Sequence, residues 1–471
     1  MVVFAEGASM TYRIVWTALL LAACGAEAEL GPPVQTETPI EDPVVEPEPE
    51  PAEPVVPVTY HQHIAPILEA RCNSCHTADG IGPFQLETYD QAVMWGDLSA
   101  HSIETRSMPP FPPDDSDCRE LLDPRKMEDD ERELFRAWVE QGFPEGDPEA
   151  GPEVTLDVPP DLLGDADRYF GDIRYEPQIS DIDEYRCFHI DPGLTWWSQD
   201  PWLFLKSVGI RTDNWARVHH AIVYAVGEEQ RGTIEWLDGL DRRPGYNCFF
   251  GAGVEGAIPI GGYSPGAQAR PYPGDTTIPI GPGTQFIVEV HFHETFNTDP
   301  VRLSVASWLW DTPIEHYPDA LPFFDANFFI PAGAPSITAE MEGEFVGIDD
   351  TPVYDPDPSG TQQAREGNIW SVDFHMHLRG KTAKVDLVRA DGTRECLLYV
   401  PDWTDDWQGT YFFKEPIRAY EGDRIEAVCE WDNTAARQPV VDGVRLEPED
   451  LTWGFDALDE MCNGSVGLTA P

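Results

Sequence analysis

Along most of the chain, apolar and polar positions alternate with a period of two. In QFIVEVHFHE, Phe286, Val288, Val290 and Phe292 fall on one side, and His291 and His293 on the other. In DFHMHLRGK, residues 373–381, Phe374, Met376 and Leu378 continue one face from Val372. Asp373, His375 and His377 continue the other from Ser371. This is the signature of β-strands, whose side chains alternate between the two faces of a sheet. From about residue 155 such stretches are separated by Gly, Pro and Asp clusters, which predicts antiparallel sandwiches. The segment is too long for one, so two are expected, at 155–315 and 325–471, joined near 312–330. Ahead of them the period changes. Ile64, Ile67 and Leu68 predict a short helix ending at Arg71. Leu134, Phe135, Trp138 and Val139 form the stripe of a second helix over 128–142, with acidic residues at its start and Gly142 past its end. A small α-helical domain over 58–147 is therefore expected. Residues 25–57 mix Pro with acidic residues and have no periodicity, which predicts an extended, self-repelling linker.

Composition sharpens this picture. The 471 residues include 15 Trp and 45 Pro, which favours β-rich and loop-rich architecture. The formal net charge of −55 argues against a nucleic-acid partner, since phosphate binding needs Lys and Arg. A solvated acidic surface accounts for it.

The N-terminus reads as an address label. Arg13 precedes the apolar run Ile14 to Ala22, and LAAC follows at 21–24. This resembles a bacterial lipoprotein signal over 1–24, which implies cleavage before Cys24 and lipidation of that residue. Gly25 after the cysteine leans towards the outer membrane within that resemblance. An ordinary secretory signal is the other reading, and both mean export. The run is too short to span a bilayer. Membrane association is expected through the lipid anchor only. Met10 and Met1 are both possible starts.

CNSCH at 72–76 carries the first metal chemistry. Cys72 and Cys75 are spaced to add to the two vinyl groups of a haem, and His76 is placed to ligate its iron. A zinc site or a disulfide is the alternative. Export favours one covalent haem c. Met108 in ETRSMPPFPPDD is the expected sixth ligand, held by prolines that fix the backbone, with His101 as the alternative. A haem filled at both axial positions passes electrons.

Six of the 12 histidines lie in three clusters, all in predicted strands: His219–His220, His291 with His293, and His375 with His377. Imidazole suits copper. Adjacent residues such as His219 and His220 point to opposite faces of a regular strand. Both can reach one ion only at a twist, bulge or strand end.

The order HH, VHFH, HMHLRGK and DEMCN (459–463) resembles the copper type II, ascorbate-dependent monooxygenases, a family that includes peptidylglycine alpha-hydroxylating and dopamine beta-monooxygenases. The resemblance spans roughly residues 160–471 and takes in GGYSPGAQARPYPGDTTIPIGPGTQFIVEVHFH, 261–293. It implies two copper ions. One would be held by His219, His220 and His291, with His293 as a neighbour. The other, which meets oxygen, would be held by His375, His377 and Met461. It implies disulfides Cys187–Cys248 and Cys429–Cys462, the second pinning Met461 beside its ion. Cys118 and Cys396 stay unassigned, either free or bridging the helical domain to the last sandwich. The implied reaction hydroxylates a C–H bond of a small-molecule or peptide-like substrate with O2. Electrons would come from ascorbate or a redox protein, relayed here through the haem. Where the peptide-hydroxylating members carry an arginine and a tyrosine, this chain has Asp373 and Ser465, which speaks against peptide amidation, although Asn463 matches. Asp373 is a candidate for holding a substrate or for orienting a ligand. Two other classes remain open: a non-catalytic haem and copper electron carrier at the cell surface, and a copper-binding lipoprotein.

Overall fold

The computed structural model describes residues 57–469, apart from 79, 124, 150–164, 180–182, 249–250, 266–268, 275, 294–298, 312–317, 346–362, 365–366, 442 and 455. The signal segment with Cys24 and nearly all of the expected linker lie outside the described residues. Among the described residues, no helix is long and apolar enough to cross a membrane.

Three α-helices gather around one small core: α1 (Ala65–Arg71), α2 (Tyr89–Glu104) and α3 (Asp129–Glu140). Ile64, Ile67, Leu68, Ile103, Phe135 and Trp138 are buried together there. The helix α3 starts on a capping box between Glu128 and Glu131. It stops at Gly142, whose φ of +77° is a left-handed conformation that suits glycine. Of its expected stripe, Phe135 and Trp138 are fully buried, while Leu134 and Val139 pack from the rim. The alternation-based reading missed α2, which opens on a capping box of Thr88 and Gln91.

The segment after α2 leaves the helices and joins the C-terminal sheets. Leu121 and Leu122 pair with Phe413 and Phe412 as an edge strand. Asp114 donates its N–H to the Tyr399 carbonyl at 2.8 Å, and Arg119 forms an ion pair with Glu395. Cys118 is bonded to Cys396 beside these contacts, so the two unassigned cysteines bridge the helical part to the last sandwich.

The rest is mostly antiparallel β-sheet. In the 168–309 region a four-stranded sheet faces a five-stranded one that runs in the order Tyr246–Asn247, Asp183–Ile190, Gln285–His293, Val218–Val226, Ile258–Tyr263. Phe286, Val288, Val290 and Phe292 point into the core between the sheets, as their alternation predicts. Truncating one such aromatic, Phe292 for example, would cost about 3–5 kcal/mol. The opposite face of that strand is also covered, because Ile287 packs with the Cys187–Cys248 disulfide. His291 therefore sits on a buried face.

The 319–469 region repeats the plan. One five-stranded sheet contains Thr410–Ala419, Gly367–His375 and Asn463–Thr469 side by side. The other contains Arg424–Trp431 and Gly380–Val388. Val372, Phe374 and Met376 are buried in the core between them. The strand ends at His375, so His377 lies just past it and not within it, contrary to the strand reading.

Candidate metal centre

The first cluster is made by a bulge. Strand Val218–Val226 pairs Val218 with Phe292 and then His220 with His291, leaving His219 as the extra residue. A bulge bends the strand and re-aims side chains. Here it turns two adjacent histidines towards the same point, which a regular strand forbids. The three Nδ1 atoms form a triangle: His219 to His291 3.1 Å, His219 to His220 3.3 Å, His220 to His291 3.4 Å.

No tautomer satisfies that triangle. A ring Nδ1 either bears a proton or offers a lone pair, never both. Among three atoms, two must be alike, so at least one edge faces lone pair to lone pair or proton to proton. A cation at the centre relieves every edge at once. A point equidistant from the three atoms lies about 1.9 Å from each, close to an imidazole–metal bond of ~2.0–2.1 Å. Burial, then the neighbouring rings, holds His219 and His220 well below the usual histidine range, so both are neutral and ligand-ready near pH 7. His219, His220 and His291 form a group able to hold a metal ion.

The surroundings fix these rings. Tyr185 stacks on His291 with centroids 4.1 Å apart. The nearby Asp406 backbone works against the burial shift at His219 without reversing it. His293, on the same strand face, spends its Nε2 on the Ala216 carbonyl at 2.9 Å and stays out of the triangle.

The second cluster gathers at the end of strand Gly367–His375. His375 pairs in register with Asn463, and the 459–462 segment runs back alongside His377. The two imidazole centroids lie 5.0 Å apart at 83°. The Nδ1–H of His375 donates to Gln408 Oε1, and that of His377 to the Asp459 carbonyl at 3.2 Å. Both Nε2 atoms are left free for an ion, whereas the first cluster uses Nδ1. Burial, then the His375 ring, drives His377 down to about 3. Burial lowers His375 too.

Met461 lies on the 459–462 segment that bonds to the His377 turn. Glu460, fully buried, accepts N–H bonds from His377 at 3.1 Å, Arg379 at 2.7 Å and the Trp431 ring at 2.9 Å. Burial pushes its carboxyl up to about 7. Cys462 is bonded to Cys429. Met461, between the two, is 2% exposed. Asp373 accepts from the Ser465 hydroxyl, opposite it in register, and burial lifts its carboxyl to about 6.

In the helical part, Cys72 and Cys75 are free thiols at the end of α1. His76 Nδ1 bonds to the Phe84 carbonyl at 2.9 Å, which leaves its Nε2 available. Phe84 lies between His76 and Trp95, with ring centroids 4.6 Å and 4.4 Å away. Met108 is half-buried just beyond α2, its N–H on the Ser102 carbonyl. His101, the alternative ligand, is exposed.

Sequence reasoning overlooked Gln408, Asp406, Glu460 and Tyr185. Glu460 stood inside DEMCN, where a motif-level reading could have found it. Gln408 and Asp406 carry no local signal.

No curated protein matches this chain. A solved structure of allantoicase is similar at 8% identity, covering 65% of this chain and 84% of its own, but a TM-score of 0.12 bears on neither fold nor function. The geometry of the second cluster agrees with a stronger finding. Residues 361–466, which hold His375, His377, Gln408 and Met461, match the family model of the copper type II ascorbate-dependent monooxygenase, C-terminal domain.

Proposed function

We propose that this chain is an exported copper-dependent monooxygenase that hydroxylates a C–H bond of a small organic substrate, with electrons entering through a fused c-type haem. The observation that carries the reading is the pairing of two donor sets of different chemistry. One is a triangle of three Nδ1 atoms. The other gathers His375 and His377, with Met461 buried on the segment bonded to the His377 turn, inside the matched region. A thioether favours Cu(I), and the all-imidazole set suits either copper state. Copper bound there supplies one-electron chemistry and activation of O2.

The chain's own residues prepare both sites. Gln408 and Asp459 hold the protons of His375 and His377 on Nδ1, so that Nε2 is the atom that would bind an ion. Glu460 and the Cys429–Cys462 disulfide fasten the Met461 segment to the His377 turn. Desolvation keeps His219, His220 and His377 neutral.

The haem reading rests on Cys72, Cys75 and His76. The His76–Phe84 bond fixes a ring tautomer suited to iron, and the thiols are unpaired. Met108 would be the sixth ligand. Haem supplies one-electron transfer. The lipoprotein reading of Cys24 puts the protein on the periplasmic face or the cell surface. Asp373 and Ser465, bonded to each other, occupy the positions that peptide amidation would give to an arginine and a tyrosine, which favours a different substrate.

Elemental analysis of the exported protein tests the whole reading. Two coppers and one iron per chain are expected, with one copper weakened in Met461→Ala, and oxygen uptake should follow added substrate. Iron without tightly bound copper in copper-replete cells would overturn it.

A further inference from the structure

The helix α2 turns an unusual face to solvent. Ala92, Gly96 and Ile103 are buried on its inner side. Gly96 lies so close to Phe143 that a Cβ there would strike the ring. The outer side presents Asp90, Met94, Asp97, His101 and Glu104 at helical spacing, all exposed, with Leu98 beside them. Met94 is 74% exposed and Leu98 49%. The two stand one turn apart and form a small apolar patch. Asp90, Asp97 and Glu104 rim it, and the 16 residues of α2 contain no Lys or Arg. Arg106, just past the helix, is paired with Asp129. Trp95, next to Met94, is half-buried. It stacks on Phe84 with centroids 4.4 Å apart, and Phe84 lies 4.6 Å from the His76 ring. The helix that carries the patch thus also supplies the outer ring of a column ending on the candidate iron ligand.

We propose that this outer face of α2 docks a basic one-electron redox protein, which reduces the haem assigned to Cys72, Cys75 and His76. The inference rests on the haem reading. Charge complementarity selects the occupant. An acidic rim without a cation on its own helix attracts a positively charged partner. A second copy of this chain, at a net charge of −55, is repelled, and so is the acidic segment 25–57. The form of the patch suits a brief encounter. Charges steer the partner in, and a contact of two apolar side chains is small enough to release it after transfer. The step moves one electron and no atoms: the partner's donor centre is oxidised by one electron, and the haem iron goes from Fe(III) to Fe(II). Trp95 and Phe84 bring the docking surface within two ring contacts of His76.

The test uses the full chain carrying its haem, with a reduced cupredoxin of basic isoelectric point as the probe, since its blue band lies apart from the haem bands. Stopped-flow absorbance follows the bimolecular electron transfer, run in whichever direction the two potentials make downhill. The wild-type rate constant should fall roughly tenfold between about 20 and 300 mM salt. The pair Met94→Ser, Leu98→Ser should lower it about tenfold and keep the salt dependence. The pair Asp90→Lys, Asp97→Lys should flatten the salt dependence, whereas Asp200→Lys, at an exposed carboxylate of the first sandwich, should leave it nearly unchanged. Reduction by hydroquinone, which needs no docking face, should be equal in all variants and shows that the haem is intact. A wild-type rate in the serine pair, or an acidic cupredoxin that reacts as fast as the basic one, would overturn the docking face and leave the haem reading standing. Self-association of the wild type that the serine pair abolishes would give the face to a second copy and overturn it too. A chain without covalent haem, expressed together with haem-attachment machinery, would overturn both.

Discussion

The backbone N–H of His377 donates to the buried carboxylate of Glu460 at 3.1 Å. That bond joins the chain just past strand Gly367–His375 to the segment that carries Met461. The same carboxylate takes Arg379 and Trp431. Glu460→Ala would leave three buried donors unpaired and should cost about 3 kcal/mol in urea unfolding. It should also loosen the copper assigned to His375, His377 and Met461 and spare the other. Glu460→Gln keeps one acceptor oxygen and should cost about 1 kcal/mol. Equal loss of both coppers in Glu460→Ala would mean that Glu460 serves the fold in general and not this cluster.

The Cys118–Cys396 disulfide closes a loop of 278 residues and anchors the helical part to the last sandwich. Reducing that loop's freedom in the unfolded chain is worth about 2–5 kcal/mol. The paired Cys118→Ser, Cys396→Ser variant should lose stability in that range. The Leu121–Phe413 pairing and the Arg119–Glu395 ion pair remain to hold the interface. Limited proteolysis should then cut the variant within 105–128 well before the sheets. An unchanged cleavage pattern would show that the strand pairing alone fixes this connection.

What could be read in the sequence depended on how local its cause was. The helix α3 was legible because its acidic start, apolar stripe and terminal glycine all lie within the element. The helix α2 was not, since its buried face is lined partly by Ala92 and Gly96 while Met94 and Leu98 stand exposed, which scrambles the apolar period. Strand Gln285–His293 was legible from alternation. Its burial on both faces was not, because the cover comes from the Cys187–Cys248 region, distant in sequence. The histidine pairs could be singled out by type and order. Their convergence at His219 needed a bulge, which depends on pairing with a strand 72 residues away. Gln408 lay beyond reach altogether, as its role arises only where the 405–408 turn meets His375.

The apo protein should weaken in mild acid. Burial depresses His76, His219, His220, His293, His375 and His377 below the ordinary histidine value. The folded chain thus binds fewer protons than the unfolded one below about pH 6.5, and acid favours unfolding. The histidine contribution is complete above that pH and is lost progressively as pH falls, for His377 down to about 3. Glu460, Asp373 and Glu289, whose carboxyls burial raises, act with the opposite sign. Glu460 is raised to about 7 and Asp373 to about 6, so the contribution of these carboxyls declines as pH rises through the range up to their folded values. Six histidines should outweigh three carboxyls. The melting temperature of the metal-free chain is expected to be several degrees lower at pH 5.5 than at 7.5, and added copper, which binds deprotonated imidazoles more tightly at 7.5, should widen that gap. A higher melting temperature at pH 5.5 would mean that the carboxyls dominate.

Arg71 and Glu131 form a buried ion pair, with Nη2 to Oε1 at 2.8 Å, that ties the end of α1 to the start of α3. Cys72 follows Arg71 directly, so this pair sets the floor on which the CNSCH turn stands. Breaking it on one side leaves an uncompensated buried charge, and Arg71→Met should cost about 3–5 kcal/mol. The double variant Arg71→Met, Glu131→Leu removes both charges and should recover most of that loss. Recovery cannot be complete, because Glu131 also accepts the N–H of Glu128 at 2.8 Å and so closes the α3 capping box, a contact worth about 1 kcal/mol. A residual deficit of that size in a double-mutant cycle by urea unfolding would separate the cap from the ion pair. If Arg71→Met alone proved neutral, the pair would contribute nothing to this part of the fold, and the placement of Cys72 would have to come from Ile67 and Leu68 packing on α3.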